Sequence, residues 1–131
     1  GLTEVRVSRG LAYGDFDLDG DLDIVINNTD DLAEGYENLG GSASGKWLQA
    51  DLRGSESNLA GIDARLTVIV GEQRLIREVR TASSFLSQSS LTTHFGLGPA
   101  PPASQLEVRW PSGKRQRFEA VEPNRRLQVY E

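Results

Sequence analysis

The stretch Arg65-Leu66-Thr67-Val68-Ile69-Val70-Gly71-Glu72-Gln73-Arg74-Leu75-Ile76-Arg77-Glu78-Val79-Arg80 decides the class of the fold. Two runs rich in branched and long apolar side chains flank Gly71-Glu72-Gln73, the pattern of two antiparallel strands around a short turn. A second hairpin is expected over 106–118. There Leu106, Val108 and Trp110 share one strand face, and Glu107 and Arg109 take the other. Pro111-Ser112-Gly113 makes its turn, since proline presets the entry and glycine accepts a positive φ. Helical periodicity is scarce elsewhere. Short alternating runs broken by Gly, Pro and Asn predict strands near 4–8, 11–16, 23–27, 35–39, 47–53, 64–70, 74–80, 93–97, 105–110, 114–119 and 126–130. The expected class is all-β.

Two segments interrupt the strands, and a third stiffens the chain. Residues 39–46 are Gly- and Ser-rich and read as a turn or linker. Residues 81–93 carry eight hydroxyl side chains around Phe85 and Leu86 and read as a long exposed loop. Gly98-Pro99-Ala100-Pro101-Pro102 reads as a stiff connector. The chain of 131 residues is long enough to bury a core without staples. It has no cysteine, which excludes disulfides, thiol catalysis and cysteine-held zinc, and one histidine, which excludes a histidine-rich metal site. No apolar run approaches the ~20 residues of a membrane span. No basic start precedes an apolar stretch, so these residues read as lacking a signal peptide.

Charge is concentrated at one place. Residues 1–57 hold 4 basic and 12 acidic side chains, whereas residues 58–131 hold 10 basic and 7 acidic ones. Five aspartates lie within Asp15-Phe16-Asp17-Leu18-Asp19-Gly20-Asp21-Leu22-Asp23, and five is also the size of the net charge of −5. The form is D-x-D-x-D-G-x-x-D. Carboxylates at alternate positions converge when the backbone wraps around a hard cation, and glycine at the sixth position permits the sharp bend. The spacing predicts a calcium site with side-chain ligands from Asp15, Asp17, Asp19 and Asp23 and a carbonyl ligand from Asp21. It is not an EF-hand: position 12 is Ile26 rather than a bidentate Glu, and Ile24-Val25-Ile26 is strand-like.

The segment Gly14-Asp15-Phe16-Asp17-Leu18-Asp19-Gly20-Asp21-Leu22-Asp23-Ile24 resembles the FG-GAP/VCBS repeats of β-propellers, in which this loop holds calcium between strands of a blade. From Asn58 onward the chain resembles the ASPIC/UnbV family. The matching pieces are Asn58-Leu59-Ala60-Gly61-Ile62-Asp63-Ala64-Arg65-Leu66, Arg77-Glu78-Val79-Arg80, Phe85-Leu86-Ser87-Gln88, His94-Phe95-Gly96-Leu97-Gly98 and Val108-Arg109-Trp110-Pro111-Ser112-Gly113. Asp63 stands where the resemblance implies a glycine, and aspartate tolerates left-handed backbone better than most residues. The resemblance divides the chain into a partial blade over 1–45 and an antiparallel, β-sandwich-like domain over 46–131. It implies a calcium-linked, adhesive or structural role outside the cell or at its surface, with no catalytic activity.

A propeller needs four or more blades, and residues 1–40 supply less than one. Tyr13, Phe16, Leu22, Ile24 and Ile26 therefore have no second blade in this sequence, and association with a protein partner or a second copy, or membership of a longer protein, is expected over folding back onto the C-terminal domain. Two other functions are weighed. A calcium-dependent carbohydrate module would show Trp47, Trp110 or Tyr36 exposed beside a groove. A hydrolase would show a loop serine within reach of His94, the only histidine. Trp110 reads as core, and His94 as a structural residue beside Phe95. Arg109, Lys114, Arg115, Arg117, Arg125 and Arg126 read as the solvated face of strands, because Glu107, Glu119 and Glu122 interleave. No nucleic-acid partner is implied.

Overall fold

A computed structural model describes residues 5–40, 45–99 and 103–131. Ten strands follow one another with no helix among the described residues: β1 (Ser8–Gly14), β2 (Asp23–Asn28), β3 (Glu34–Tyr36), β4 (Lys46–Arg53), β5 (Arg65–Val70), β6 (Gln73–Glu78), β7 (Thr93–Gly98), β8 (Ala103–Arg109), β9 (Arg115–Val121) and β10 (Arg125–Tyr130). They form three sheets, in the orders β1-β2-β3, β10-β4-β7 and β6-β5-β8-β9.

The deciding hairpin is β5–β6. Val70 pairs with Gln73, so the turn is the two residues Gly71-Glu72, with Gly71 at φ 58°. A glycine at the first central position is what a tight, strand-compatible hairpin turn requires. Its partner sheet is built around β4, whose two faces differ. Leu48, Ala50 and Leu52 point inward and are buried, together with Phe95 and Leu97 of β7 and Val129 of β10. Opposite them lie Leu66, Val68 and Val70 of β5 and Leu106 and Val108 of β8. Trp110 closes this core at 1% exposure and donates its indole N–H to Gln116 Oε1 at 2.7 Å. Every residue of the core cluster lies between Leu48 and Val129. Burying a side chain of this size contributes about 1.5–3 kcal/mol, whereas an exposed ion pair contributes about 0–1 kcal/mol. The sandwich of β4–β10 therefore carries the stability. One feature departs from the antiparallel expectation: β10 runs parallel to β4, with Leu127 opposite Ala50.

The small sheet β1-β2-β3 has no such core. Its buried positions with the loop that joins them are Gly10, Gly14, Gly20, Asp21, Asp23 and Asn28. It leans on the sandwich instead. The segment expected as a long exposed loop covers the free edge of β1: Leu11 N donates to Ser84 Oγ and Tyr13 N to Ser89 Oγ, both at 3.3 Å. Ser90 N returns a bond of 2.9 Å to the Tyr13 carbonyl. These bonds satisfy within the chain part of the edge expected to be open. Apolar surface nonetheless stays exposed at Leu11, Tyr13, Phe16, Leu18 and Val25.

Strand boundaries differ most from the sequence reading near the start of the chain and around 35–39. Val5, Arg6 and Val7 form no strand, and β1 begins at Ser8 rather than at 11 and stops at Gly14, where the acidic loop bends away. The strand near 35–39 is only Glu34–Tyr36. Glu4, the Gly/Ser stretch 41–44 and Ala100-Pro101-Pro102 of the connector lie outside the described residues. Asp63 does adopt the left-handed conformation, at φ 71°, with its N–H bonded to the Val79 carbonyl at 2.9 Å.

The loop before β5 is clasped by Glu131. Its Oε2 accepts three successive backbone N–H bonds, from Ser55, Glu56 and Ser57, at 2.9, 2.9 and 2.7 Å. Its Oε1 accepts from the hydroxyls of Ser57 and Ser112. Burial raises the Glu131 carboxyl, but the Ser112 hydroxyl, the Ser57 N–H and hydroxyl and the Ser55 N–H outweigh it, holding it at about 2 against an ordinary 4.5. A depressed carboxylate stabilises the fold above its unfolded pKa and loses that contribution as pH falls through the folded one. Glu131→Gln should therefore lower the urea midpoint near neutral pH, and the gap to the parent should close as pH falls from about 4.5 toward about 2. A gap independent of pH would show that the carboxylate's charge has no part in it.

Candidate metal centre

The loop between β1 and β2 is wound by its own side chains. Gly20 N donates to Asp15 Oδ2 at 3.2 Å, Asp19 N to Asp17 Oδ1 at 3.2 Å and Asp21 N to Asp19 Oδ1 at 3.0 Å. Leu18 and Gly20 take positive φ, 65° and 98°. The winding brings one carboxylate oxygen each of Asp15, Asp17 and Asp19 within 4.8 Å of one another. Asp15 Oδ1 is buried and has no hydrogen-bond donor among the described residues. A buried anionic oxygen without a donor is costly, and a hard cation is the group that would satisfy it beside two further carboxylates. The donor set is all oxygen, which suits calcium and not a soft metal.

The other two expected ligands sit differently. Asp21 is buried and lies outside the three-carboxylate cluster. Asp23, 3% exposed, gives Oδ2 to Phe16 N and Oδ1 to Asn38 N, both at 2.9 Å. In this arrangement Asp23 ties the start of the loop to the end of the small sheet. The sequence expectation places it as the closing ligand, and each of its oxygens keeps a lone pair beside the bond it accepts.

Sequence reasoning missed the support beneath the loop. The outer face of β4 carries Trp47, Gln49 and Asp51, alternating with the core residues. Gln49, 1% exposed, donates Nε2 to Asp15 Oδ2 at 2.6 Å. A Cβ on Gly20 would overlap the Trp47 indole, so the loop lies flat against that ring. His94 Nε2 bonds the Gly20 carbonyl at 3.0 Å, which makes it the donor. Asp51 accepts from Arg126 Nε and from Thr92 Oγ1, each at 2.6 Å. Burial raises the Asp51 carboxyl, and the Arg126 and Thr92 bonds bring it below its ordinary value. The only sequence signal for Gln49 was a polar residue between Leu48 and Ala50, where the strand period already called for an outward side chain.

The carbohydrate and hydrolase alternatives meet specific geometry. Trp110 is in the core, and Trp47 is half-buried with Gly20 packed on its ring. Tyr36 lines an open cleft of about 300 Å³ with Phe16, Asp17 and Ile24. The His94 ring faces the Gly20 carbonyl, and among the described residues no serine hydroxyl bonds it.

The β-sandwich and the motifs at its strand ends define the class, and the chain belongs to the ASPIC and UnbV family, whose pattern matches residues 54–131. Cartilage acidic protein 1 of Xenopus tropicalis is 32% identical over 108 residues, and that of Mus musculus is 30% identical over 108 residues. Each match covers 80% of this chain and 16% of the relative. The chain thus spans about a sixth of the length of these relatives, 16% in each case.

Gly20→Ala tests the docking directly. The new methyl group meets the Trp47 ring and the backbone must keep φ at 98°, so stability should fall by about 1–3 kcal/mol in urea unfolding. In a Trp47→Ala background the same substitution should cost less, because only the backbone strain remains. Equal costs in the two backgrounds would show that loop and indole are not in contact.

Proposed function

We propose that this chain is a calcium-binding structural domain of an extracellular protein, in which an FG-GAP/VCBS-like loop is held on the outer face of an ASPIC/UnbV sandwich. Asp15, Asp17 and Asp19 hold the ion by side chain and Asp21 by its carbonyl, with Asp23 bracing the loop. The ion's contribution is charge neutralisation and cross-linking of the loop. The observation that carries the reading is the buried Asp15 Oδ1, without a donor among the described residues, on a carboxylate grouped with those of Asp17 and Asp19. The same carboxylate is bonded to Gln49 of the sandwich, so calcium bound to Asp15 also fixes how the small sheet sits. The relatives are named for cartilage, an extracellular tissue, which supports the location. The role is non-catalytic. Leu11, Tyr13 and Phe16 remain exposed on the small sheet and are the surface for a protein partner or a second copy. A calcium-dependent carbohydrate module is the second reading, favoured only by the cleft of Tyr36 and Phe16 beside Asp17.

A ligand that binds the native state alone stabilises by mass action, about 2.7 kcal/mol at a hundredfold excess over Kd. Melting with excess calcium should therefore exceed melting in chelator by about 5–10 °C. Asp19→Ala should remove most of that difference. The same midpoint with calcium and with chelator would contradict the proposal.

A further inference from the structure

The outer face of the sheet β6-β5-β8-β9 carries a row of like charges. Arg65 of β5 sits opposite Arg109 of β8, and Arg109 sits opposite Arg115 of β9. Neighbouring strands are about 4.8 Å apart, and like charges directly opposite one another destabilise a sheet. Arg74 lines the same shallow cleft of about 240 Å³, together with Thr67, Ile76 and Glu107. Arg117 is one row along, opposite Glu107.

Counter-charge on this face is thin. Glu107 serves both Arg115 and Arg117, each at 4.0 Å, the outer limit of an ion pair. Glu78 ends the arginine row opposite Arg65, whose charge helps to lower its carboxyl, but its direct bond is to Arg80. Glu119 lies two rows away, opposite Gln105. Among the described residues Arg65, Arg74 and Arg109 have no ion-pair partner. The sequence reading gathered Arg109, Lys114, Arg115 and Arg117 with Arg125 and Arg126. The fold instead sends Arg126 to Asp51 on the other sheet and brings in Arg65 and Arg74.

We propose that this five-arginine face binds a sulfated polysaccharide. Five guanidinium groups on one face of an antiparallel sheet, in a chain of net charge −5, form a local field that the whole-molecule charge does not predict. Guanidinium forks pair with tetrahedral or planar oxyanions through two bonds, which suits sulfate and carboxylate along a sugar chain. The face offers no aromatic ring on which bases could stack, and no helix or ribbon to enter a duplex groove. It also lacks the aromatic anchors of a protein interface; its apolar members are Ile69 and Ile76. The binding is independent of the calcium loop.

The test is heparin binding by the full chain, at about 0.15 M salt and with chelator present. The triple variant Arg65→Gln/Arg109→Gln/Arg115→Gln should bind about tenfold or more weakly and elute at lower salt. Its melting midpoint should be no lower than the parent's, since the change relieves like-charge contacts. A control triple, Arg9→Gln/Arg53→Gln/Arg125→Gln, makes the same change of net charge elsewhere and should keep the parent's affinity. If the face triple fails to fold, Arg109→Gln alone should still weaken binding. Equal binding by the face variant and the parent, or equal losses in both triples, would overturn the proposal. So would displacement of heparin by duplex DNA or polyglutamate at matched charge, which would assign the face to another class of partner.

Discussion

One carboxylate oxygen joins the two parts of this molecule. Asp15 Oδ2 accepts from Gly20 N within its own loop and from Gln49 Nε2 on the central strand of the sandwich. Gln49 is almost wholly buried, and a buried amide is costly unless bonded, so the loop needs the strand and the strand needs the loop. The fit of Gly20 on Trp47 and the His94 bond to the Gly20 carbonyl extend that contact on either side. Remove it and the small sheet, which buries only small and polar residues, is held chiefly by the bonds between β1 and Ser84, Ser89 and Ser90.

The alternation of a β-strand makes this possible. On β4, Leu48, Ala50 and Leu52 belong to the core, while Trp47, Gln49 and Asp51 form a polar floor on the opposite face. The acidic loop covers that floor. The serine-rich segment after β6 covers the edge of β1 from the same side. A piece of sheet too small to have its own core is thus fastened to a sandwich that has one, by hydrogen bonds rather than by apolar burial.

Much of the fold was legible because the period-two pattern of β5, β8 and β4 is strong, and because Gly71 and Gly113 mark their turns. The parallel pairing of β10 with β4 was not legible, since a strand's sequence does not state its partner's direction. The spacing of the acidic loop announced that the carboxylates of Asp15, Asp17 and Asp19 converge. It did not announce that Asp23 bonds two backbone amides, or that Gln49 and His94 support the loop, because those contacts are long-range. Residues 81–93 form the largely exposed loop expected, with contacts that the sequence did not announce. A hydroxyl-rich segment looks solvent-facing in sequence, yet Ser84 and Ser89 accept hydrogen bonds from an open strand edge.

The central claim is that binding of calcium and docking of the loop on the sandwich are one equilibrium. Hydrogen exchange of the whole chain, with calcium and with chelator, measures both at once. The account predicts that calcium raises protection in the 15–23 loop and also at Tyr13 and Ser90, where β1 meets the sandwich segment. Protection that rises only within the loop, or nowhere, would contradict it.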